Sequence, residues 1–440
     1  MKLITDGEYL GVVLPFMIST LTQPLMGAVN TAVMGQLPDA KYMAAVSLGA
    51  ILFNNLYWLF GFLRVSTTGY AAQALGAQDN MLGMLAFFKP MIIALVISIL
   101  CIILQRPVIT AYLGMINPAA DVATLCIEYY VILIWGAPFV LFNYVALGWL
   151  MGQTRIKAAV SLQMSMNILN MLLSWAFVLY WHFEIKGVAW ATLISQIYGG
   201  VMGGLLVHIY GQFNYKELDY KEILSWKSFV GMLRVNADLM IRTACLLTVN
   251  NIVVAVGATF GTVVLAANAV LLQIKDIMSY LIDGMANAAA IFSGKAMGEH
   301  SRKLLDEGIK MTYKWLVVLA ILLMGSYFVG NGFFIRLFTN ITEVVDAAET
   351  YKWYVAFYPI CAGIGIVLYG VFCGTTYTAP VRDMMIIAVT VFYISQRILV
   401  PLFYNGGLWI ALLFFMATQS VVLRIYLKKL KHKFDNKINY

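Results

Sequence analysis

Charge is what this 440-residue chain has least of. Charged residues make up 11% of it and hydrophobic residues 62%. A soluble domain carries about 25% charge, so the composition excludes one and points to an integral membrane protein. Metal and disulfide chemistry find little support. The five cysteines, Cys101, Cys126, Cys245, Cys361 and Cys373, stand in apolar runs without a CxxC and read as packing residues. The four histidines, His182, His208, His300 and His432, have no partner at zinc-ligand spacing. No GxxxxGK[ST] occurs, so the chain carries no ATP-binding P-loop of its own, and active transport would draw on an ion gradient or a separate motor. The N-terminus has no small-residue cleavage pattern, and the first apolar run is too long for a signal-peptide core, so that run is expected to be retained. The net charge of +8 calls for no nucleic acid; it reflects basic loops on the cytoplasmic side.

What is present is a series of apolar runs. They predict twelve spans, near 9–36, 43–74, 84–105, 124–148, 157–181, 186–210, 229–257, 263–297, 312–335, 350–373, 383–403 and 405–427. The first two spans of each half are longer than a straight crossing needs, so they should tilt, bend or protrude. With both termini inside, the cytoplasmic segments hold 18 of the loop lysines and arginines. The external loops hold five: Lys41, Arg106, Lys186, Arg336 and Lys352. The bias places the chain in the cytoplasmic (inner) membrane with an even number of spans.

The two halves resemble each other. Ala71–Gly76 matches Ser293–Gly298 at an offset of 222, and the same offset pairs Gly35 with Gly257 and Ala44-Ala45 with Ala266-Ala267. The fold class expected is an all-α membrane protein of twelve transmembrane helices, in two pseudo-symmetric six-helix lobes around a central cavity. The lobes are read as 1–210 and 229–428, joined by a charged cytoplasmic linker at 211–228. A basic tail at 429–440 is suited to anionic head groups.

Polar groups inside the spans are the candidate pathway residues. In the first span, Pro15 and Pro24 each remove a backbone donor and predict a bend, and Gln23 and Asn30, seven apart, share one side. In the fifth, Gln163, Asn167, Asn170 and Ser174 form one stripe of a helix, on which Thr192 of the sixth can close. Such a stripe serves interhelical hydrogen bonding or lines a cavity. In the second half, Asp238 and Arg242 stand four apart, either an ion pair near the cytoplasmic surface or a functional site. Lys275, Asp276 and Asp283 lie on the eighth span, with the two carboxylates on one face. Arg64 shares a face with Tyr57, Gly61 and Thr68 and reads as a structural or gating charge. Arg397 and Glu128 read as interfacial. Charges at bilayer depth cost ~2.5–3.5 kcal/mol on insertion scales, which makes them functional candidates.

Several phrases carry a family resemblance: VNTAVMGQL (Val29–Leu37), FLRVSTTGYAAQALGA (Phe62–Ala77), LGWLMGQTR (Leu147–Arg155), NILN (Asn167–Asn170), KGVAWATLIS (Lys186–Ser195), DLMIR, NAVL and LIDGMANA. The chain resembles the multidrug and toxic compound extrusion (MATE) family, in the branch named for the DNA-damage-inducible F protein. The resemblance spans about residues 10 to 425, and Leu63–Gly76 is its most specific part. It implies a secondary-active exporter of small amphipathic or cationic compounds, working by alternating access in exchange for H⁺ or Na⁺. No other cofactor is implied, nor is an enzyme activity or a nucleic-acid partner; a monomer in the lipid bilayer is expected. A flippase for a lipid-linked precursor, as in other branches of the superfamily, is the alternative. In relatives, carboxylates stand on the first and fifth helices. Here Asn30 and Ser174 take those positions, while Asn170 and Thr192 are retained. An amide and a hydroxyl do not titrate near pH 7. At most a weak Na⁺ site of Asn30, Asn170, Ser174 and Thr192 remains. Three accounts follow: coupling rests on Asp238, Asp276 or Asp283, transport is weakly coupled or downhill, or the same fold serves a different cargo.

Overall fold

The computed structural model describes residues 4–34, 39–211, 213, 223 and 225–435, with side chains at all of these except 21–34, 40, 227 and 228. Helices run through nearly all of it, and no strand occurs among the described residues. In chain order they are α1 (Asp6–Met34), α2 (Ala40–Leu59), α3 (Phe62–Ala77), α4 (Asn80–Ile103), α5 (Gln105–Ile116), α6 (Ala120–Leu133), α7 (Ala137–Gly152), α8 (Ile156–Trp175) and α9 (Glu184–Gly211). The second half supplies α10 (Trp226–Ala258), α11 (Thr262–Gly298), α12 (Arg302–Phe338), α13 (Thr342–Ala356), α14 (Tyr358–Gly374) and α15 (Ala379–Asp435).

Among the described residues, nine helical stretches are long and apolar enough to cross a membrane; a tenth is the α13–α14 pair, bent by 47°. Helix α15, 57 residues long, counts as two spans because its backbone breaks at Tyr404 (φ 50°, ψ −131°). With α1, 29 residues long, this gives the twelve expected. Helix α1 runs through both Pro15 and Pro24, and the side chains of Gln23, Pro24 and Asn30 lie outside the described residues.

Local chemistry sets the breaks. Asp79 caps α4 by accepting from the Met81 and Leu82 amides, and Ser301 caps α12 through the Leu304 amide. Gln78 closes α3 in the left-handed conformation (φ 54°). The second span is two helices, α2 and α3, parted at Phe60–Gly61; α11, the corresponding span of the second half, runs unbroken for 37 residues. Helix α8 passes into a π-helical turn at Ala176–Tyr180.

The chain forms two compact units. One is Leu21–Met232; the other takes the chain before Leu21 and after Met232. The start of α1 is fastened within the latter. Tyr9 stacks on Phe292 at 5.7 Å, Thr20 donates to the Tyr280 carbonyl at 3.0 Å, and Asp6 accepts from Lys314 at 2.8 Å and from Trp315 at 2.9 Å.

The same glycine packing recurs in each unit. Gly148 and Gly152 of α7 lie against the Arg64 and Thr68 carbonyls of α3. Gly370 and Gly374 of α14 lie against the Ala286 and Ala290 carbonyls of α11. Each of these four residues of the first half stands 222 positions before its counterpart, so the sequence offset is also a packing offset. A Cβ at any of these glycines would collide with backbone, which cannot rotate aside. Small residues let membrane helices approach this closely, where dispersion contacts rather than water expulsion hold them.

Gly370→Val should therefore lower the apparent unfolding temperature of the purified protein in detergent, by an amount corresponding to about 1–3 kcal/mol of overpacking. Gly325→Ala, where nothing lies within 4 Å, should leave it unchanged. Equal effects of the two substitutions would contradict the close-packing account.

Candidate functional site

In the first unit, the polar stripe of α8 faces inward as its spacing predicts. Asn167, Asn170 and Ser174 are all buried. Gln163 donates to Asn167 at 3.2 Å, along the helix. The Asn170 amide reaches α9, donating to Thr192 Oγ1 at 3.1 Å and to Ser195 Oγ at 3.2 Å. Both hydroxyls donate onward to carbonyls of their own helix, Thr192 to Val188 at 2.9 Å and Ser195 to Ala191 at 2.7 Å. Asn170 thus joins α8 to α9 through a set of neutral donors and acceptors. Ser174 is completely buried, and its hydroxyl has no hydrogen-bond partner among the described residues. It sits two residues before the π-helical turn, a local distortion that often marks functional positions. Arg64, at the start of α3, is half-buried; its carbonyl accepts from Thr68 Oγ1 at 2.9 Å. No group of three or more metal-ligating side chains occurs among the described residues.

The second unit concentrates the charge. Asp238 and Arg242 do not pair, contrary to one expectation from their spacing. Asp238, buried on α10, accepts from Thr378 at 2.9 Å and from Arg382 Nη1 at 3.0 Å. Arg382 also holds Asp383 at 2.8 Å, and Asp383 accepts from Tyr426 at 3.2 Å. This network ties α10 to both ends of α15. Arg242, one turn further along α10, instead lies 3.8 Å over the Tyr369 ring of α14. On α11, Lys275 is buried, pairs with the half-exposed Asp276 at 2.8 Å, and lies 5.8 Å from the Tyr358 ring centroid. Asp283, two turns on, is half-buried.

Arg397 is engaged by Tyr393 on its own helix, and Glu128 pairs with Lys186 at 3.6 Å in an exposed position. The linker expected at 211–228 lies largely outside the described residues, though Phe213 packs on Phe87, Phe88 and Trp149. The basic tail continues α15 to Asp435, and its charges are partly taken up by protein: Arg302 pairs with Asp435, and Lys431 with Asp306 at 2.6 Å.

Sequence reasoning missed several groups. Ser195 shares the Asn170 amide with Thr192. Lys89 is buried inside α4 beside Pro90, and it is the one charged residue between Asp79 and Arg106, a signal visible in the sequence. Asn268 and Asn405 exchange two amide hydrogen bonds, at 2.7 and 2.9 Å, and Trp409 donates to Asn268 at 2.9 Å. This buried clasp holds α11 to the chain just after the Tyr404 break.

A family model described as MatE matches residues 15–176 and 239–398. The chain belongs to the MatE family. It is 30% identical over 417 residues to DNA damage-inducible protein F of Escherichia coli (strain K12), covering 93% of this chain and 89% of that protein. It is 22% identical over 345 residues to the probable multidrug resistance protein NorM of Photorhabdus laumondii subsp. laumondii, covering 76% of this chain and 74% of the relative. Among solved structures it is similar to a MATE in the bent conformation, with a TM-score of 0.86 and 20% identity over 98% of this chain and 96% of that one. This MatE chain is thus a multi-pass, all-helical membrane protein of the twelve-helix fold.

The Asp238–Arg382 pair predicts a particular stability pattern. Removing one partner of a buried pair strands the other charge, at a cost of roughly 3 kcal/mol, less here because Arg382 is partly exposed. Arg382→Gln should lower the thermal stability in detergent, and adding Asp238→Asn should restore much of the loss. Losses that simply add would contradict a paired role.

Proposed function

We propose that this MatE protein is a secondary-active exporter of small amphipathic molecules, driven by inward H⁺ or Na⁺ and needing no bound cofactor. The first half from residue 21 to 210 and the second half 229–428, to which the start of α1 is fastened, rock about the linker at 211–228 to give alternating access. Both termini are cytoplasmic, and the protein works as a monomer in the inner membrane. The multidrug-resistance names of relatives support the substrate class.

The observation that carries the coupling reading is the division of titratable groups. The α8–α9 set of the first unit is neutral throughout: Gln163, Asn167, Asn170, Ser174, Thr192 and Ser195. On α10 and α11 the second unit holds Asp238, Asp276 and Asp283. Of these, Asp238 is committed to Arg382 and Thr378. Asp276 and Asp283 stay partly exposed on one face of α11. A carboxylate that can exchange between a proton, a cation and a protein partner is what ion coupling requires. Asp276 pairs with Lys275 at 2.8 Å, and Asp283 stands two turns on along the same face.

The flippase alternative loses support from the same geometry. A polyanionic cargo needs a row of free cations. Lys275 is neutralised by Asp276, and Arg397 is held by Tyr393.

In proteoliposomes with an imposed ion gradient, Asp276→Asn or Asp283→Asn should lower efflux of a fluorescent amphipath by about tenfold or more, the factor that ~1.4 kcal/mol represents. Asn30→Ala should have the smaller effect. If Asn30→Ala proves the more damaging, coupling belongs to the first unit instead.

A further inference from the structure

Two cation-on-tyrosine pairs share one face of the second unit. Tyr358 and Tyr369 stand eleven residues apart on α14, three turns, so they point the same way about 16 Å apart. Lys275 covers the first ring and Arg242 the second.

The two cations are not equivalent. Lys275 is buried and has its carboxylate, Asp276, at 2.8 Å. Arg242 has no such neighbour, because the carboxylate one turn before it, Asp238, is taken by Arg382 and Thr378. The Arg242 Nε is buried and has no hydrogen-bond partner among the described residues. No ion pair involving Arg242 occurs among those residues either. A guanidinium lying over a ring presents its N–H donors along its own in-plane edge, where an acceptor can meet them. That edge fits a planar or tetrahedral oxyanion, and the ring beside it fits an apolar body. A partly exposed charge within a span is tolerable only where it meets water or a polar ligand.

We infer that Arg242 and Tyr369 form a recognition site for an amphipathic organic anion: a carboxylate, sulfonate or phosphate monoester on an apolar or aromatic body. Arg242 receives the oxyanion and Tyr369 holds the adjoining apolar surface. The Lys275–Asp276 pair, three turns away, takes no part in the selection of charge, because its positive head is already matched. The inference narrows the substrate class of the proposed exporter and rests on that reading for its physiological meaning, although binding can be read without transport.

The test uses the full-length protein in lipid nanodiscs and three probes with one skeleton: pyrenebutyrate, pyrenebutanol and pyrenylbutyl-trimethylammonium. Energy transfer from protein tryptophan to pyrene reads binding, with empty nanodiscs as the baseline for partition into lipid. The native protein should bind the carboxylate about tenfold more tightly than the alcohol, and Arg242→Gln should abolish that preference while leaving the alcohol's affinity unchanged. Arg242→Lys should keep part of it. Equal affinity for carboxylate and alcohol in the native protein overturns the inference, as does an equal loss of all three probes in Arg242→Gln, which marks a merely structural residue. Anion selectivity without gradient-driven efflux of any probe would remove the exporter reading and leave this site standing. Gradient-driven efflux without anion selectivity would do the reverse.

Discussion

No water is available in the bilayer to solvate a charge or an unpaired backbone group, and the rest of this structure follows from that. Backbone groups are met within helices, and even the breaks obey the rule. The chain near Tyr404 leaves helical geometry, and the Asn268–Asn405–Trp409 clasp lies just beyond it. Charged side chains obey it through partners. Asp238 has Arg382, Lys275 has Asp276, and Arg242 has the face of Tyr369. Some residues satisfy the rule only in part: the half-exposed carboxylates of α11, the edge of Arg242, and the buried hydroxyl of Ser174.

The repeat shows how one scaffold carries two different sites. Gly148 and Gly152 against α3, and Gly370 and Gly374 against α11, are the same packing solution used twice. Because these contacts are backbone to backbone, they leave little freedom to vary. The polar residues hung on that scaffold have diverged. The α8–α9 set of the first unit presents amides and hydroxyls; α10, α11 and α14 of the second present carboxylates, cations and tyrosines. Neutral chemistry at Asn170, Thr192 and Ser195 fixes α8 to α9 with groups that do not titrate near pH 7.

Much of this was legible in the sequence, for physical reasons. Span positions follow from apolar length, and the repeat from a constant offset of 222. The α8 stripe follows from helical spacing, and the structure buries Asn167, Asn170 and Ser174 together. Side chains whose partners lie far along the chain were not legible. Asp238 was read with Arg242, its neighbour by spacing, but Arg382, 144 residues away, holds it. Arg382 looked like a loop residue because it follows a span boundary; its side chain reaches back to the buried carboxylate. The Asn268–Asn405 exchange crosses 137 residues and leaves no periodic signal. The tail was read as free basic charge for lipid, yet Asp306 and Asp435 partner two of the basic residues at that end of the unit.

The central claim is that coupling survives in this chain although the first-unit positions are neutral. Its most direct test is dye transport by the native protein in proteoliposomes, with pH, Na⁺ and voltage gradients imposed one at a time. The prediction is movement against the dye's own gradient under a pH or Na⁺ gradient, with none when all gradients are collapsed. Identical transport under every condition, always down the dye's gradient, would contradict it.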